Sequence, residues 1–294
     1  AMGFSTSSLK DMDVQVIRDV RDEESVAAAI TGFESHFGSP MSRLDPMSHI
    51  GVILIDGLSG IEERVMEHIG DLTDVSFIGG SAGDDLKFQK THIFANGRAH
   101  ANAAVLAVLK PAGAFDIVKT QSFTETGRKL TATEVDQANR EVIRFDDRPA
   151  SEAYAEAVGV SPDAASDRFM HNPVGLMVGE EPYVRSPQQI IGERVKFYCS
   201  VRKGMTLSLL ESADIVADTR RAVAGKEAEM GGLRGIVNFH CILRTLELED
   251  KGMAGEYGKI FSEIPTIGFS TYGEQYIGHI NQTSTMLVFG KGNS

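Results

Sequence analysis

Three separated stretches hold the residues whose types and spacing can do chemistry. Gly79-Gly80-Ser81-Ala82-Gly83-Asp84-Asp85 sets three glycines among five residues ahead of two carboxylates. Glycine lets backbone N–H groups approach a bound group or turn tightly, and carboxylates offer acceptors or caps. Downstream stand Asn238-Phe239-His240-Cys241-Ile242-Leu243-Arg244, then Tyr272-Gly273-Glu274, then His279-Ile280-Asn281-Gln282-Thr283. A phenol and a carboxylate around Gly273 suit an amine or an amino-acid-like ligand. His279, Asn281 and Thr283 supply hydrogen-bonding groups for a pocket. Each stretch also has a plain structural reading: a glycine turn between strands, a histidine that packs or caps a strand end, a turn before a strand.

Several chemistries are excluded or disfavoured by spacing. The glycine stretch lacks the G-x-x-x-x-G-K-[ST] pattern of a nucleotide loop, and Asp84-Asp85 lack the D-x-D-x-D-G pattern of a calcium loop. His240 beside Cys241 suggests a thiol nucleophile, but neighbours on a strand point to opposite faces and cannot exchange a proton directly. The expectation is therefore a non-enzyme. Asp56, Glu62 and Glu63 read as helix-start electrostatics, and Cys199, inside an apolar run, as core.

The elements that must position these groups follow from periodicity. Residues 13–20 read as a strand, 23–37 as a helix, and 51–56 as a strand covered on both faces. Ser59 with Glu62 has the spacing of a capping box, which opens a helix ending near Gly70. Residues 75–78 form the next strand, so the unit is βαβ and the glycine stretch leaves from its end, where open α/β sheets bind ligands. Asn96-Gly97 predicts a hairpin between strands at 91–94 and 99–109. Further strands are predicted at 115–120, 129–135 and 141–145, and a helix at 151–158. In the second half the pattern predicts strands at 175–178, 195–199, 206–210, 235–239, 267–269 and 284–289. Helices are predicted from Ser212, as cap, to about Glu229 and over 255–261. The fold class is mixed α/β, with mixed parallel and antiparallel strands: two packed sheet-containing portions flanked by helices, residues 1–150 and 151–294.

The chain has 294 residues, 42% hydrophobic and 24% charged, which are globular values. A net charge of −12 repels phosphate backbones and anionic lipid, so neither nucleic acid nor membrane is an expected partner. Two cysteines do not make a disulfide framework, and no apolar run reaches the roughly 20 residues a membrane span needs. A cytoplasmic protein is expected.

Taken together, Asp56-Gly57-Leu58-Ser59-Gly60, residues 79–85, Phe94-Ala95-Asn96-Gly97, residues 239–244, 265–274 and 279–283 resemble the FIST family. These are signal-transduction domains built of an N-terminal and a C-terminal portion, and the likeness covers most of the chain from about residue 50 to residue 289. The resemblance implies an intracellular small-ligand sensor. Gly80, Ser81 and Asp84 would form one wall of its pocket, and Cys241, Arg244, Tyr272, Glu274 and Asn281 the other. One branch of the family is a nitric-oxide-sensing haem protein that regulates a histidine kinase or a cyclic-di-GMP enzyme. It implies haem as cofactor, His240 as iron ligand with Arg244 beside a propionate, and His279 as second candidate ligand. With no C-x-x-C-H motif, the haem would be non-covalent. Two alternatives stay open: a sensor of an amino acid or small amine held by Ser81, Arg244, Tyr272 and Glu274, and a cysteine-dependent enzyme using Cys241. A homodimer is compatible with either. The family pattern carries a further strand–helix unit ahead of the position of Asp56, so the N-terminal portion is expected to be truncated. His240 stands where many relatives have a small polar residue.

Overall fold

The computed structural model describes residues 2–291. The chain begins with β1 (Leu9–Ile17), α1 (Glu23–Phe37), β2 (Ile50–Asp56), α2 (Glu62–Leu72), β3 (Phe77–Ala82), the hairpin β4 (Ile93–Ala95) and β5 (Arg98–His100), and β6 (Ala104–Pro111). β2 and β3 are parallel with α2 as their crossover, and β6 and β1 add antiparallel beyond β2. Local chemistry explains these boundaries. Asp22 caps α1 by accepting the Glu24 N–H, and Gly38 ends it in the left-handed region at φ 65. Asn96 and Gly97 both have positive φ, the signature of a type I′ turn.

The chain continues through β7 (Phe115–Thr120), β8 (Phe123–Asp136), β9 (Glu141–Phe145), β10 (Arg148–Pro149) and α3 (Ala150–Val158). Then come β11 (Val174–Val178), β12 (Glu181–Arg185), β13 (Pro187–Ile191), β14 (Arg194–Phe197), β15 (Thr206–Ser212), α4 (Ile215–Glu229) and β16 (Leu233–Cys241). The last elements are α5 (Ile242–Asp250), α6 (Ala254–Lys259), β17 (Thr266–Thr271), β18 (Glu274–Tyr276), β19 (His279–Ile280) and β20 (Ser284–Gly290). The result is a mixed α/β fold. Its sheets run β1-β6-β2-β3-β18-β19, β12-β11-β15-β8-β9-β14-β13 with β10 beside β9, and β17-β16-β20-β7. Each of these three sheets takes strands from both sides of residue 150, so the two parts of the chain interlock; the β4-β5 hairpin stands by itself.

Packing arranges the first and third sheets as the middle of four layers. Val26, Ile30 and Phe33 of α1 and Val65 and Ile69 of α2 cover one face of the first sheet through Ile53, Ile55, Phe77 and Leu106. Its other face, through Ile50, Ile78 and Leu109, meets Phe239, Leu287 and Phe289 of the third sheet. Val223 of α4 with Ile264 closes the outer face of the third sheet over Ile236, Met286 and Val288. Each fully buried side chain of this size contributes about 1.5–3 kcal/mol. The second sheet packs its own core, including Phe145 and Phe197, against Tyr154 of α3.

Several sequence expectations are corrected. The strand expected at 75–78 extends to Ala82, so Gly79, Gly80 and Ser81 lie inside β3 rather than in a loop after it. The Ser59–Glu62 capping box does not form: Ile61 occupies the N-cap position without a side-chain bond, because Glu62 is drawn to Arg140. Asp214, not Ser212, caps α4 by accepting from Val216 and Ala217 N–H. The long strand at 99–109 is two strands, broken where Asn102 adopts φ 51. α5, β12, β13, β18 and β19 have no counterpart in the periodicity. Among the described residues, no helix is long and apolar enough to cross a membrane.

Candidate functional site

β16 passes between two layers, and strand alternation aims its side chains in turn at each. Ile236 and His240 face the helices, whereas Phe239 and Cys241 face the first sheet. His240 is 8% exposed, its Nδ1 lies 3.0 Å from the Tyr257 hydroxyl, and the two rings are 4.7 Å apart. Burial first, and the nearby Arg244 charge second, hold this imidazole well below its usual pKa, so it is neutral. It lines an apolar groove of about 300 Å³ with Leu248, Tyr257, Phe261 and Phe269.

Cys241 lies on the opposite side. Burial, then Glu274, push its thiol well above the usual range, although the Gln282 and Leu243 N–H groups point at it. No proton relay joins it to His240. Arg244, 1% exposed, donates through Nη2 to Thr219 Oγ1 at 3.0 Å and Thr120 Oγ1 at 3.5 Å, and it does not line the His240 groove.

The glycine stretch and the Tyr272–Glu274 segment do meet, as the sequence suggested, but in direct contact. β3 and β18 pair with Gly80 opposite Glu274 and Gly79 opposite Gln275. A Cβ on Gly79 would sit 1.7 Å from the Ile53 carbonyl oxygen, and one on Gly80 2.2 Å from Thr271 Cγ2. These glycines serve close packing and leave no room for a ligand between the two segments. Ser81 Oγ accepts from Gln275 Nε2 at 2.9 Å, and that same amide lies 3.1 Å from His279 Nδ1.

Glu274 is fully buried and accepts from the Thr271 hydroxyl, the Thr283 N–H at 3.1 Å and the Thr283 hydroxyl at 2.6 Å. Burial outweighs these bonds and raises its pKa to about 7. Tyr272 donates its hydroxyl to Asp84 at 2.7 Å and accepts the Leu86 N–H at 2.7 Å. Asp84 also accepts the N–H groups of Phe88, Gln89 and Lys90. Against a desolvation cost, these bonds hold its carboxyl far below the usual range. Asp84 and Tyr272 therefore organise the 84–90 loop, on which Phe88 stacks against Tyr272 at 4.8 Å.

Open space lies beside a charged clamp. Arg140, in the β8–β9 turn at φ 55, donates through Nη2 to Glu62 at 2.7 Å and Glu63 at 2.5 Å, and through Nη1 to the Tyr198 carbonyl at 2.8 Å. Glu63 also accepts the Ser200 N–H at 2.8 Å. Glu62 and Arg140 line a cavity of about 250 Å³ together with Phe88, Tyr198 and Tyr272. Glu63 lines another, of about 430 Å³, with Met66, Phe77, Arg185, Ser200 and His279. His279 is neutral there because burial lowers its pKa more than Glu62 and Glu63 raise it. Arg185 Nε and Ser200 Oγ are buried and have no hydrogen-bond partner.

Although the sheets interlock across it, residue 149 is where the matches to known families divide. Residues 1–148 match the FIST N domain, and residues 150–277 match the FIST C domain. The chain belongs to the FIST family. FIST domains are small-ligand sensory domains of signalling proteins. No curated protein matches the chain.

In FIST terms, the larger cavity is a seam. α2 and β3 come from the FIST N portion, and β12, Ser200 and Met205 from the FIST C portion, with His279 just past it. Of the residues expected from sequence, Gly80, Ser81 and Glu274 come together around β18, joined by Cys241 and Asn281. Asp84 and Tyr272 form the loop anchor, Arg244 turns toward Thr219, and His240 stands apart on the outer face. Sequence reasoning missed Arg140, Arg185, Tyr198 and Ser200. Only the Glu62-Glu63 pair left a signal, and it reads as an ordinary acidic helix start because its cation is 78 residues away in the chain.

Proposed function

We propose that this FIST protein senses a small ligand held in the seam cavity between its FIST N and FIST C portions and reports it to a signalling enzyme. The observation that carries this reading is that Arg185 and Ser200, residues lining a cavity shared by both portions, hold buried polar atoms, Nε and Oγ, with no hydrogen-bond partner. Buried polar groups are nearly always hydrogen-bonded, and a ligand supplies the missing partners. A ligand touching α2 on one wall and β12 on the other favours whichever arrangement of the two holds it better, and so shifts the surface a partner reads. A cytoplasmic histidine kinase or cyclic-di-GMP enzyme is the partner class, and the protein itself has no catalytic step. Ser81, Tyr272 and Glu274 are occupied by Gln275, Asp84 and two threonines, which moves the ligand from that set to the seam.

Thermal-shift screening against small metabolites tests this. Gly70, on the cavity wall in α2, has no atom within 4 Å of where a Cβ would stand, so a side chain there starts in open space, and Gly70→Leu adds bulk at the cavity wall. Compounds that stabilise the parent should stabilise Gly70→Leu much less. Equal stabilisation of both would remove the seam from the reading.

A second reading rests on His240. A neutral imidazole with one nitrogen held by Tyr257, in an apolar groove, is in the state that haem iron requires of its ligand. Haem held there would supply the nitric oxide response, with its propionates not met by Arg244. Hemin should then give a Soret band that His240→Ala abolishes and His279→Ala leaves intact. A parent protein that stays colourless with hemin would end it.

A further inference from the structure

We infer that the seam ligand is an organic monoanion, a carboxylate carrying an apolar body, and that Arg185 is its anchor. The inference rests on the seam being the ligand site and concerns which chemistry it selects. Consider the charges that face the cavity. On the lining Arg202 pairs with Glu67 at 2.5 Å, and Glu63 is taken by Arg140, which itself lines the smaller cavity. His279 is neutral, and Asp74 is exposed to solvent on the lining. Arg185 is the exception: among the described residues its guanidinium makes no ion pair, and its single side-chain hydrogen bond is Nη1 to the neighbouring Val184 carbonyl at 3.3 Å. Its Nε is buried without a partner.

A partly buried guanidinium without an anion is costly, and its planar fork matches a carboxylate with two parallel bonds. Ser200 Oγ, also unpartnered and on the same lining, offers a further donor. For an ammonium group the lining offers no unpaired buried carboxylate: Asp74 is exposed, where an ion pair is worth little. Glu63 already takes Arg140 on one oxygen and the Ser200 N–H on the other, and Glu67 is held by Arg202. The site therefore favours a carboxylate over the corresponding zwitterionic amino acid. The rest of the lining includes Met66, Ile69, Phe77, Met205 and Ile280, which suits a branched aliphatic or aryl body. A cavity of about 430 Å³ is in the range of small-molecule sites.

Isothermal calorimetry on the full chain tests the inference with 4-methylpentanoate and 3-phenylpropanoate, each beside its zwitterion, leucine or phenylalanine, and its neutral amide. The expected result is binding of the carboxylates, with zwitterions and amides at least about tenfold weaker, the scale of a lost charged hydrogen bond. Arg185→Gln should weaken the carboxylates by about 10- to 100-fold, and Arg185→Lys, which keeps the charge but not the fork, should fall between. Unfolding curves confirm that the variants fold. If Gly70→Leu abolishes carboxylate binding but Arg185→Gln does not change it, the seam reading stands and the Arg185 inference falls. The Arg185 inference also falls if zwitterions or amides bind as well as carboxylates. If carboxylates bind and Gly70→Leu leaves them unaffected, the seam reading fails. If nothing in this set binds while other compounds stabilise the parent and not Gly70→Leu, only the carboxylate inference is lost.

Discussion

Arg140 Nη2 lies 2.7 Å from Glu62 Oε2, a contact across 78 residues in which the carboxylate side chain is 2% exposed and the arginine 15%. With Glu63 as second acceptor, this arginine ties the β8–β9 turn to the start of α2 and lines the smaller cavity. Such a pair is costly to assemble but more costly to break, because removing one partner strands the other in a dry site.

Arg140→Ala should therefore destabilise the protein by about 3–5 kcal/mol, read as a lower denaturant midpoint. Adding Glu62→Gln to Arg140→Ala should cost less than the two single changes summed, since the stranded charge is removed. A cost for Arg140→Ala within the range of a surface substitution would show that the clamp contributes nothing.

Glu274 predicts a pH dependence. Its carboxyl titrates near 4.5 when unfolded and at about 7 when folded, so the folded state holds the extra proton between these values. Stability is then fully present below pH 4.5, falls as pH rises toward 7, and levels off above. At 1.36 kcal/mol per unit the loss is about 3 kcal/mol. Glu274→Gln cannot ionise, so its stability relative to the parent should improve between pH 5 and pH 8 in urea unfolding. A constant difference across that range would mean that Glu274 is ionised throughout.

The β3 glycines should tolerate no side chain. Gly80→Ala drives a methyl to within 2.2 Å of Thr271 Cγ2 and should cost about 1–3 kcal/mol. Thr271→Ser deletes that methyl but keeps the hydroxyl bonded to Glu274. The double variant should recover most of the loss, and a purely additive cycle would place the strain elsewhere.

Both thiols should be inert in the native protein. Cys199 is buried and pushed up to about 11 by desolvation, and burial first and Glu274 second hold the Cys241 thiol well above its usual range. A chromogenic disulfide reagent at neutral pH should label neither until denaturant is added. Rapid native labelling of Cys241 would revive catalysis by this residue.

Legibility followed range. α1 was readable to the residue because its cap, its apolar spacing and its terminal glycine are all local. The Asn96-Gly97 turn was readable for the same reason, as was the buried character of β2. The opposite orientation of His240 and Cys241 followed from strand alternation alone. By contrast, β18 and β19 are three- and two-residue strands that exist because β3 accepts β18 at its edge and β18 in turn accepts β19. Nothing in a window that short shows periodicity. The glycine stretch was visible as unusual, but its purpose depends on Ile53 and Thr271, which the sequence does not place beside it.

By itself the sequence determined the mixed α/β class, the principal helices and turns, the acidic character and the FIST resemblance, because each rests on residue types at short spacing. Tertiary structure alone decided that the three large sheets borrow strands from both parts of the chain, that Arg140 serves two carboxylates, and that Arg185 has none. Whether a buried polar atom is satisfied depends on every segment that approaches it, and those segments here come from residues 62 to 279. Spacing along the chain sets the direction a side chain faces. Only the folded chain determines what it meets there.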